Sequence, residues 1–516
     1  MEEMRMDNTI CMNEVIFDGQ AEQGIELDYV LPDYCPEIFK IMKCRIIPKI
    51  LSYSMVGDTK IVYDGCADIK VLYLAENSPA IHCIEQHYTY SKTVDIGKKV
   101  NLAKETPDIR MQTKPDYCNC RAVSGRRIDI RGAVSTKIRI TMCNEFEIPS
   151  IPDGVQARIE KTNCCNRLRN TEKTFSIREE IETGASGISC ILRSCCTPKV
   201  NDVRVIADKA IVKGTILINA AYGLNDDTNV QGCSTIERMT AEIPVSQIID
   251  MGGIDDSFSC SAELDIMSCE LISSVDSGII SCNIQAVCRI SCHKENTVSF
   301  TTDVFSTEYA TEHSTRTIKA IRQFIPVSKQ SNIKSSIESE YGELEIVWDC
   351  SSDIYNLACT VSDEGKLFLT GLICYQLLGK TTDGLPCLSE KQEGFECEIS
   401  SEQIPKNHTL SFTATCIDTD YSLKTDGTVD LNAIIDFNGT ICETQDIHTI
   451  ENVIIHEDKP KHKNNDFALR IYYADGTEDC WTVAKRYDAS VDAIMIENDI
   501  QDRDLPLNGM VLIPSV

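Results

Sequence analysis

Three stretches of this chain share one pattern, a polar–apolar alternation interrupted by an internal glycine. Ile61-Val-Tyr-Asp-Gly65 is followed by Tyr73, and Ala210-Ile-Val-Lys-Gly214 is followed at the same distance by Tyr222. In the third, Lys366-Leu-Phe-Leu-Thr-Gly371, Leu378-Gly379 fills the later position. Each stretch has a second signature further on. Ser124-Gly-Arg-Arg-Ile-Asp-Ile-Arg-Gly-Ala-Val134 matches Ser277-Gly-Ile-Ile-Ser-Cys-Asn-Ile-Gln-Ala-Val287, and Asp426-Gly-Thr-Val-Asp-Leu-Asn-Ala-Ile-Ile435 is a shorter version. The dipeptides ending in glycine supply the positive φ that a strand reversal needs. A period of two specifies strands, and self-similarity at this spacing specifies a repeat architecture. The expected fold is mainly β, with three tandem β-rich units at residues 1–170, 171–312 and 313–455. The glycine inside each first strand marks a bulge or a close backbone approach, since no helix follows to make it a phosphate cradle.

Composition narrows the function. Lys and Arg number 50 against 79 Asp and Glu, a formal net charge of −29. Such a surface repels phosphate backbones, so nucleic acid is not an expected partner. No run of about 18 apolar residues occurs, and Ile211–Tyr222 is broken by Lys213 and Asn219, so no membrane insertion is expected. The N-terminus, Met1-Glu-Glu-Met-Arg-Met-Asp7, lacks the apolar stretch of a secretory signal. The 8 His are scattered, with no H-E-x-x-H or G-x-S-x-G motif, and the chain reads as a non-enzyme without cofactor or metal.

With 27 Cys the chain resembles a disulfide scaffold, but it is long enough to bury a core without staples. The thiols are expected to be mostly reduced and buried as small hydrophobes. There is no C-x2-C pair of the kind that closes a structural zinc site. Cys288, Cys292 and His293 form a looser cluster, but they lie in an alternating run where Cys288 and Cys292 share one strand face, and are read as apolar sheet positions.

Two segments depart from the repeat. Near the N-terminus, Pro32 and Pro36 bracket a turn, and Pro36 suits the first position of a short helix carrying Ile38, Phe39, Ile41 and Met42. Cys35 beside it, with no neighbouring His, is read as a packing residue. Residues 456–466 (His456-Glu-Asp-Lys-Pro-Lys-His-Lys-Asn-Asn465 and Asp466) are charged and contain Pro460, as a solvated linker would be.

Beyond the linker the period changes. Arg470–Tyr473 is a short strand. Cys480, Val483, Ala484 and Tyr487 then make a helical stripe. Ser490 caps a second helix bearing Val491, Ile494 and Met495. Asn508-Gly509 leads into a last strand that Pro514 ends. Residues 467–516 thus read as a small βααβ (α+β) module. Trp481 is either core filler or a partly exposed interface anchor.

The run Trp481-Thr-Val-Ala-Lys-Arg-Tyr487 with the closing Leu512-Ile-Pro514 resembles a LysM domain. The upstream repeat, headed by Leu31-Pro-Asp-Tyr-Cys-Pro36, resembles the SPOCS domain of spore-coat-associated proteins, and the arrangement is similar to the SipL family. That resemblance implies a coat morphogenetic scaffold in the mother-cell cytoplasm at the forespore surface. Its LysM module would engage the basement-layer ATPase, stage IV sporulation protein A, alongside other coat proteins. It also implies a binding groove at Thr477, Glu478, Asp479, Cys480, Trp481, Lys485, Asp499 and Ile500. Glycan-binding LysM domains usually carry Gly-Asp-Ser/Thr-Leu just before the tryptophan, whereas here Thr477-Glu-Asp-Cys480 stands there and Gly476 comes one position early. With Asp502 and Asp504 the groove is acidic, which favours a basic protein partner over peptidoglycan, the alternative ligand.

Overall fold

In the computed structural model the described residues are 9–76, 80–97, 107–225, 232–273, 278–339, 341–400, 403–461, 469–502 and 506–514. Strands dominate, and one strand order recurs. The first group comprises β1 (Thr9–Val30), β2 (Ile38–Val56), β3 (Lys60–Ala75), β4 (Ile81–Asp95), β5 (Asp108–Ser124) and β6 (Arg127–Glu147). The second comprises β7 (Val155–Glu182), β8 (Ile188–Ile206), β9 (Lys209–Leu224), β10 (Thr235–Asp250), β11 (Ser259–Ser273) and β12 (Ile279–Ser306). The third comprises β13 (Tyr309–Glu338), β14 (Leu344–Val361), β15 (Leu367–Thr381), β16 (Pro386–Ser400), β17 (His408–Leu423) and β18 (Thr428–Pro460).

Each group folds into two antiparallel three-stranded sheets. The outer sheets have the orders β1-β6-β5, β7-β12-β11 and β13-β18-β17; the inner ones are β2-β3-β4, β8-β9-β10 and β14-β15-β16. The central strand of every sheet is the apolar one. In β15, Leu367, Leu369, Ile373, Tyr375 and Leu377 are buried, while β17 at a sheet edge is largely half-exposed. The Tyr375 hydroxyl donates to the Ile333 carbonyl (3.0 Å) in the facing outer sheet, so its burial leaves no stranded polar group.

The repeated glycine marks a close approach. Gly65 pairs with Tyr90 across the ladder, and a Cβ there would lie 2.4 Å from the Tyr90 ring. Gly371 pairs with Phe395, whose ring would lie 2.8 Å from such an atom. An aromatic side chain covers each bare backbone position. Gly214 is met instead by the Lys199 carbonyl oxygen (2.5 Å) and by Leu264 from the facing sheet (2.8 Å).

Several expectations need correction. Residues 38–42 begin strand β2, not a helix. Bulges between Ile38 and Lys40 and between Ile41 and Lys43 each insert a residue, which gives the apolar positions a helix-like spacing. The preceding turn is closed by Cys35 N–H to the Pro32 carbonyl (2.9 Å) and clamped by Arg126 (2.8 Å to the same oxygen). Burial there raises the Cys35 thiol above its ordinary value, in keeping with a packing role.

The unit boundaries also move. β7 runs unbroken through position 170, β13 through 312 and β18 through 455, so the strand groups span 9–147, 155–306 and 309–460. These long first and last strands pair with one another, as in β7 with β12. Their polar sequences, such as Arg167-Leu-Arg-Asn-Thr-Glu-Lys173 in β7, hide the alternation that would have located them. Ser277 and residues 462–466 lie outside the described residues. Cys292, read as a plain sheet position, is disulfide-bonded to its cross-strand partner Cys260 (Cα–Cα 4.1 Å). Gly379-Lys380-Thr381 spells the tail of a phosphate loop, but Cys374 replaces the upstream glycine and the tripeptide lies within strand β15.

The three inner sheets meet in a shared core. Leu72, Ala221 and Leu378 stand at the same offset from the repeated glycine in β3, β9 and β15, and all three join one buried cluster with Leu192, Cys233 and Ile236. Their ladder partners on β2, β8 and β14 are Lys43, Arg193 and Asp349. Equivalent positions thus carry charges of opposite sign at the junction. Lys43 pairs with Glu390 (2.6 Å), and Arg193 grips Asp349 with two bonds of 2.7 and 2.9 Å.

Candidate functional site

The C-terminal module comprises β19 (Leu469–Asp475), α1 (Cys480–Tyr487), α2 (Val491–Glu497) and β20 (Asn508–Pro514), with β19 and β20 paired antiparallel. The Asp479 carboxylate caps α1 by accepting from Thr482 N–H (2.8 Å), and Ser490 Oγ caps α2 by accepting from Ala493 N–H (3.4 Å). Cys480, Val483, Ala484, Val491 and Ile494 point inward, where they meet Val511 and Ile513 of β20.

The loop after β19 is tied to Leu507, just before β20. Gly476 N–H donates to the Leu507 carbonyl (2.9 Å), and Leu507 N–H donates to the Glu478 carbonyl (2.7 Å). Gly476 takes the left-handed conformation (φ +88°), so the tight turn keeps a glycine one position before Thr477. Thr477 is exposed and donates from both its backbone and its hydroxyl to Asp475 (3.1 and 2.5 Å). Asp499 is exposed, while Ile500 packs partly into the module core. Cys480 is fully buried and contributes packing, with its thiol raised by burial and by Asp479. Asp504 lies outside the described residues.

Two of the expected groove acids, Glu478 and Asp479, are paired with arginines. Glu478 holds Arg486 through both oxygens and also receives the Tyr472 hydroxyl. These hydrogen bonds, Tyr472 first, hold its carboxyl below the ordinary value. Asp479 pairs with Arg158 of β7 (3.0 Å), a residue from the second strand group.

Three of the anticipated groove residues thus face the body of the protein. Trp481 is 4 % exposed, and its indole N–H donates to Asp303 of β12 (2.9 Å). Its ring meets Phe305 edge-on at 5.0 Å. Lys485 reaches both oxygens of the same Asp303 (2.6 and 2.7 Å). Lys461, just past β18, adds a bond to the Ser306 carbonyl (2.8 Å) and an ion pair with Asp488. Asp303, Phe305 and Arg158 were invisible to sequence reasoning. Each sits in an alternating strand run with nothing local to set it apart.

Burial alone would raise the Asp303 and Asp479 carboxyls. Hydrogen bonds from Lys485 and Trp481 to the first, and from Thr482 to the second with the charge of Arg158 nearby, outweigh it and leave both below 3.8. A group depressed in the folded state contributes its full stability above its unfolded value and loses it as pH falls through the folded one. Docking of the module is therefore expected to hold at neutral pH and weaken below about pH 4, where such carboxyls titrate. The fluorescence of Trp481, followed in a Trp348→Phe chain during acid titration, should report that transition; an unchanged signal down to the onset of global unfolding would contradict it.

The outer face of the β19–β20 ladder carries exposed apolar side chains. Ile471, Tyr473 and Met510 are 55 %, 74 % and 57 % exposed, on one face of the β19–β20 ladder where Tyr473 pairs with Met510. Among the described residues, no helix is long and apolar enough to cross a membrane. No curated protein and no solved structure matches the chain. Residues 188–272, which run from β8 into β11, match the family model described as SipL, SPOCS domain, so this stretch of the chain is similar to the SPOCS domain of a sporulation-related family.

Proposed function

We propose that this protein is a non-enzymatic spore coat scaffold of the mother-cell cytoplasm that docks through its C-terminal module onto the forespore basement-layer ATPase, stage IV sporulation protein A. The three strand groups serve as tandem SPOCS units, since the matched stretch β8–β11 has its topological counterparts in β2–β5 and β14–β17. The βααβ module resembles a LysM domain, which in such proteins supplies the docking head. One observation carries the reading. The loop acids Glu478 and Asp479 are neutralised by arginines and the tryptophan is turned inward, while Ile471, Tyr473 and Met510 form an outward apolar stripe. A sugar chain needs open polar groups in the groove. An apolar stripe beside acidic loop residues such as Asp475 and Asp499 fits a protein with an apolar and basic surface better.

The test is retention of the full chain on immobilised ATPase. Removing residues 467–516 should abolish retention, and Tyr473→Ala should weaken it by about 2 kcal/mol, the scale of a central aromatic anchor. Undiminished retention after the deletion would defeat the proposal. So would saturable binding of the full chain to peptidoglycan without any to the ATPase.

A further inference from the structure

Far from the docked module, the inner sheet of the first group gathers three unlike ligating side chains. Cys66 and Asp68 alternate onto one face of β3, and His87 stands directly opposite Asp68 on β4. Their ligand atoms all lie within 4.8 Å of one another. The His87 Nδ1 is 2.7 Å from Asp68 Oδ1, and the Cys66 Sγ is 3.5 Å from that same oxygen. Cys66 and Asp68 are buried, whereas the His87 side chain is 60 % exposed.

We propose that Cys66, Asp68 and His87 bind a zinc ion, with the fourth position open to solvent on the His87 side. Thiolate, carboxylate and imidazole are the donor types zinc takes. Zinc–ligand bonds of about 2.0–2.3 Å in a tetrahedron place neighbouring donor atoms roughly 3.3–3.5 Å apart. The sulfur–oxygen separation of 3.5 Å already meets this distance, and the exposed imidazole has room to move away from Oδ1, from which it stands 2.7 Å, and into place.

The other carboxylate oxygen supports the assignment. Asp68 Oδ2 is held by Lys49 from β2, whose side chain is largely buried. A ligating carboxylate is normally oriented by such an outer partner. Lys49 fixes the carboxylate and leaves Oδ1 for the metal, where the thiol and imidazole converge.

Cobalt(II) titration of the reduced, metal-free full chain tests the site. The parent should develop thiolate-to-cobalt charge-transfer absorption and the intense visible bands of a tetrahedral ion, both removed by zinc. Other thiols contribute background, so the readout is the difference between parent and variant. His87→Gln alters an exposed side chain and leaves the core untouched; Cys66→Ser removes the sulfur. Each should lose one equivalent of cobalt and weaken zinc binding by about tenfold or more, at least the cost of losing an outer-shell partner. The assignment is overturned if the parent shows no such bands, or if both variants bind cobalt with the parent's intensity and stoichiometry.

Discussion

Asp349→Ala is expected to destabilise the body of the protein by about 3–5 kcal/mol, the largest effect of any single charge removal that the structure suggests. Asp349 is 5 % exposed in the shared core between the inner sheets. It receives two bonds from Arg193 of the second strand group and a third contact from Arg238 (3.3 Å), so two guanidiniums from one group converge on one carboxylate of another. Truncation leaves the largely buried Arg193 guanidinium without its bidentate partner, while Arg238 keeps only a longer contact with Asp418 (3.6 Å). The desolvation cost of that charge, more than the lost attraction, sets the magnitude. The double variant Arg193→Met, Asp349→Leu should recover most of the loss, because a buried pair replaced by well-packed apolar side chains is often close to neutral. Urea midpoints of the three chains give the comparison. A single-variant loss below about 1 kcal/mol, typical of exposed pairs, would mean that the junction is wetter and weaker than its geometry implies.

The second large effect is expected at Trp481. Trp481→Ala removes a buried ring that packs on Phe305 and an indole N–H bonded to Asp303, and a loss of about 3–5 kcal/mol is expected from the packing alone. The module should then separate from β12 and become open to protease. Trp481→Phe divides the two contributions: it keeps an aromatic ring but strands the Asp303 carboxylate of one donor, at a cost of about 1.5–3 kcal/mol for a bond to a charged group. Release of a fragment containing residues 469–514 by limited proteolysis, fast in the Ala variant and intermediate in the Phe variant, is the expected order. Equal resistance in all three would show that Lys485, Arg158 and Lys461 hold the module without the tryptophan.

Local elements were legible where periodicity and burial agree. The stripe Cys480, Val483, Ala484 and Tyr487 forms α1, Ser490 caps α2, and Asn508–Pro514 forms the closing strand. The recurring glycines sit in the central inner strands as close backbone approaches. Legibility failed where bulges shift the register. Ile38–Met42 looked helical because two inserted residues disguise a strand, and only the ladder to β3 shows what the spacing means. The ends of the strand groups were misplaced for a related reason: β7 and β13 are long, polar and paired with the last strand of their group, with four other strands between in the chain.

The candidate groove divides in the same way. The identity of its loops and caps could be read from residues a few positions apart, because a capping hydrogen bond or a glycine turn is settled within one turn of chain. That Trp481, Lys485 and Asp479 turn toward Asp303, Phe305 and Arg158 could not, since those partners are far away in sequence and ordinary in their own strands. The same holds for Lys43, Arg193 and Asp349, equivalent positions whose unlike charges acquire meaning only where three sheets converge. Sequence alone determined that this chain builds alternating sheets and a helical end module, because side-chain direction along a strand or helix follows from backbone geometry. Only tertiary structure decided which charges meet and which face of the module stays open, because electrostatic and packing energies depend on distance in space, not along the chain.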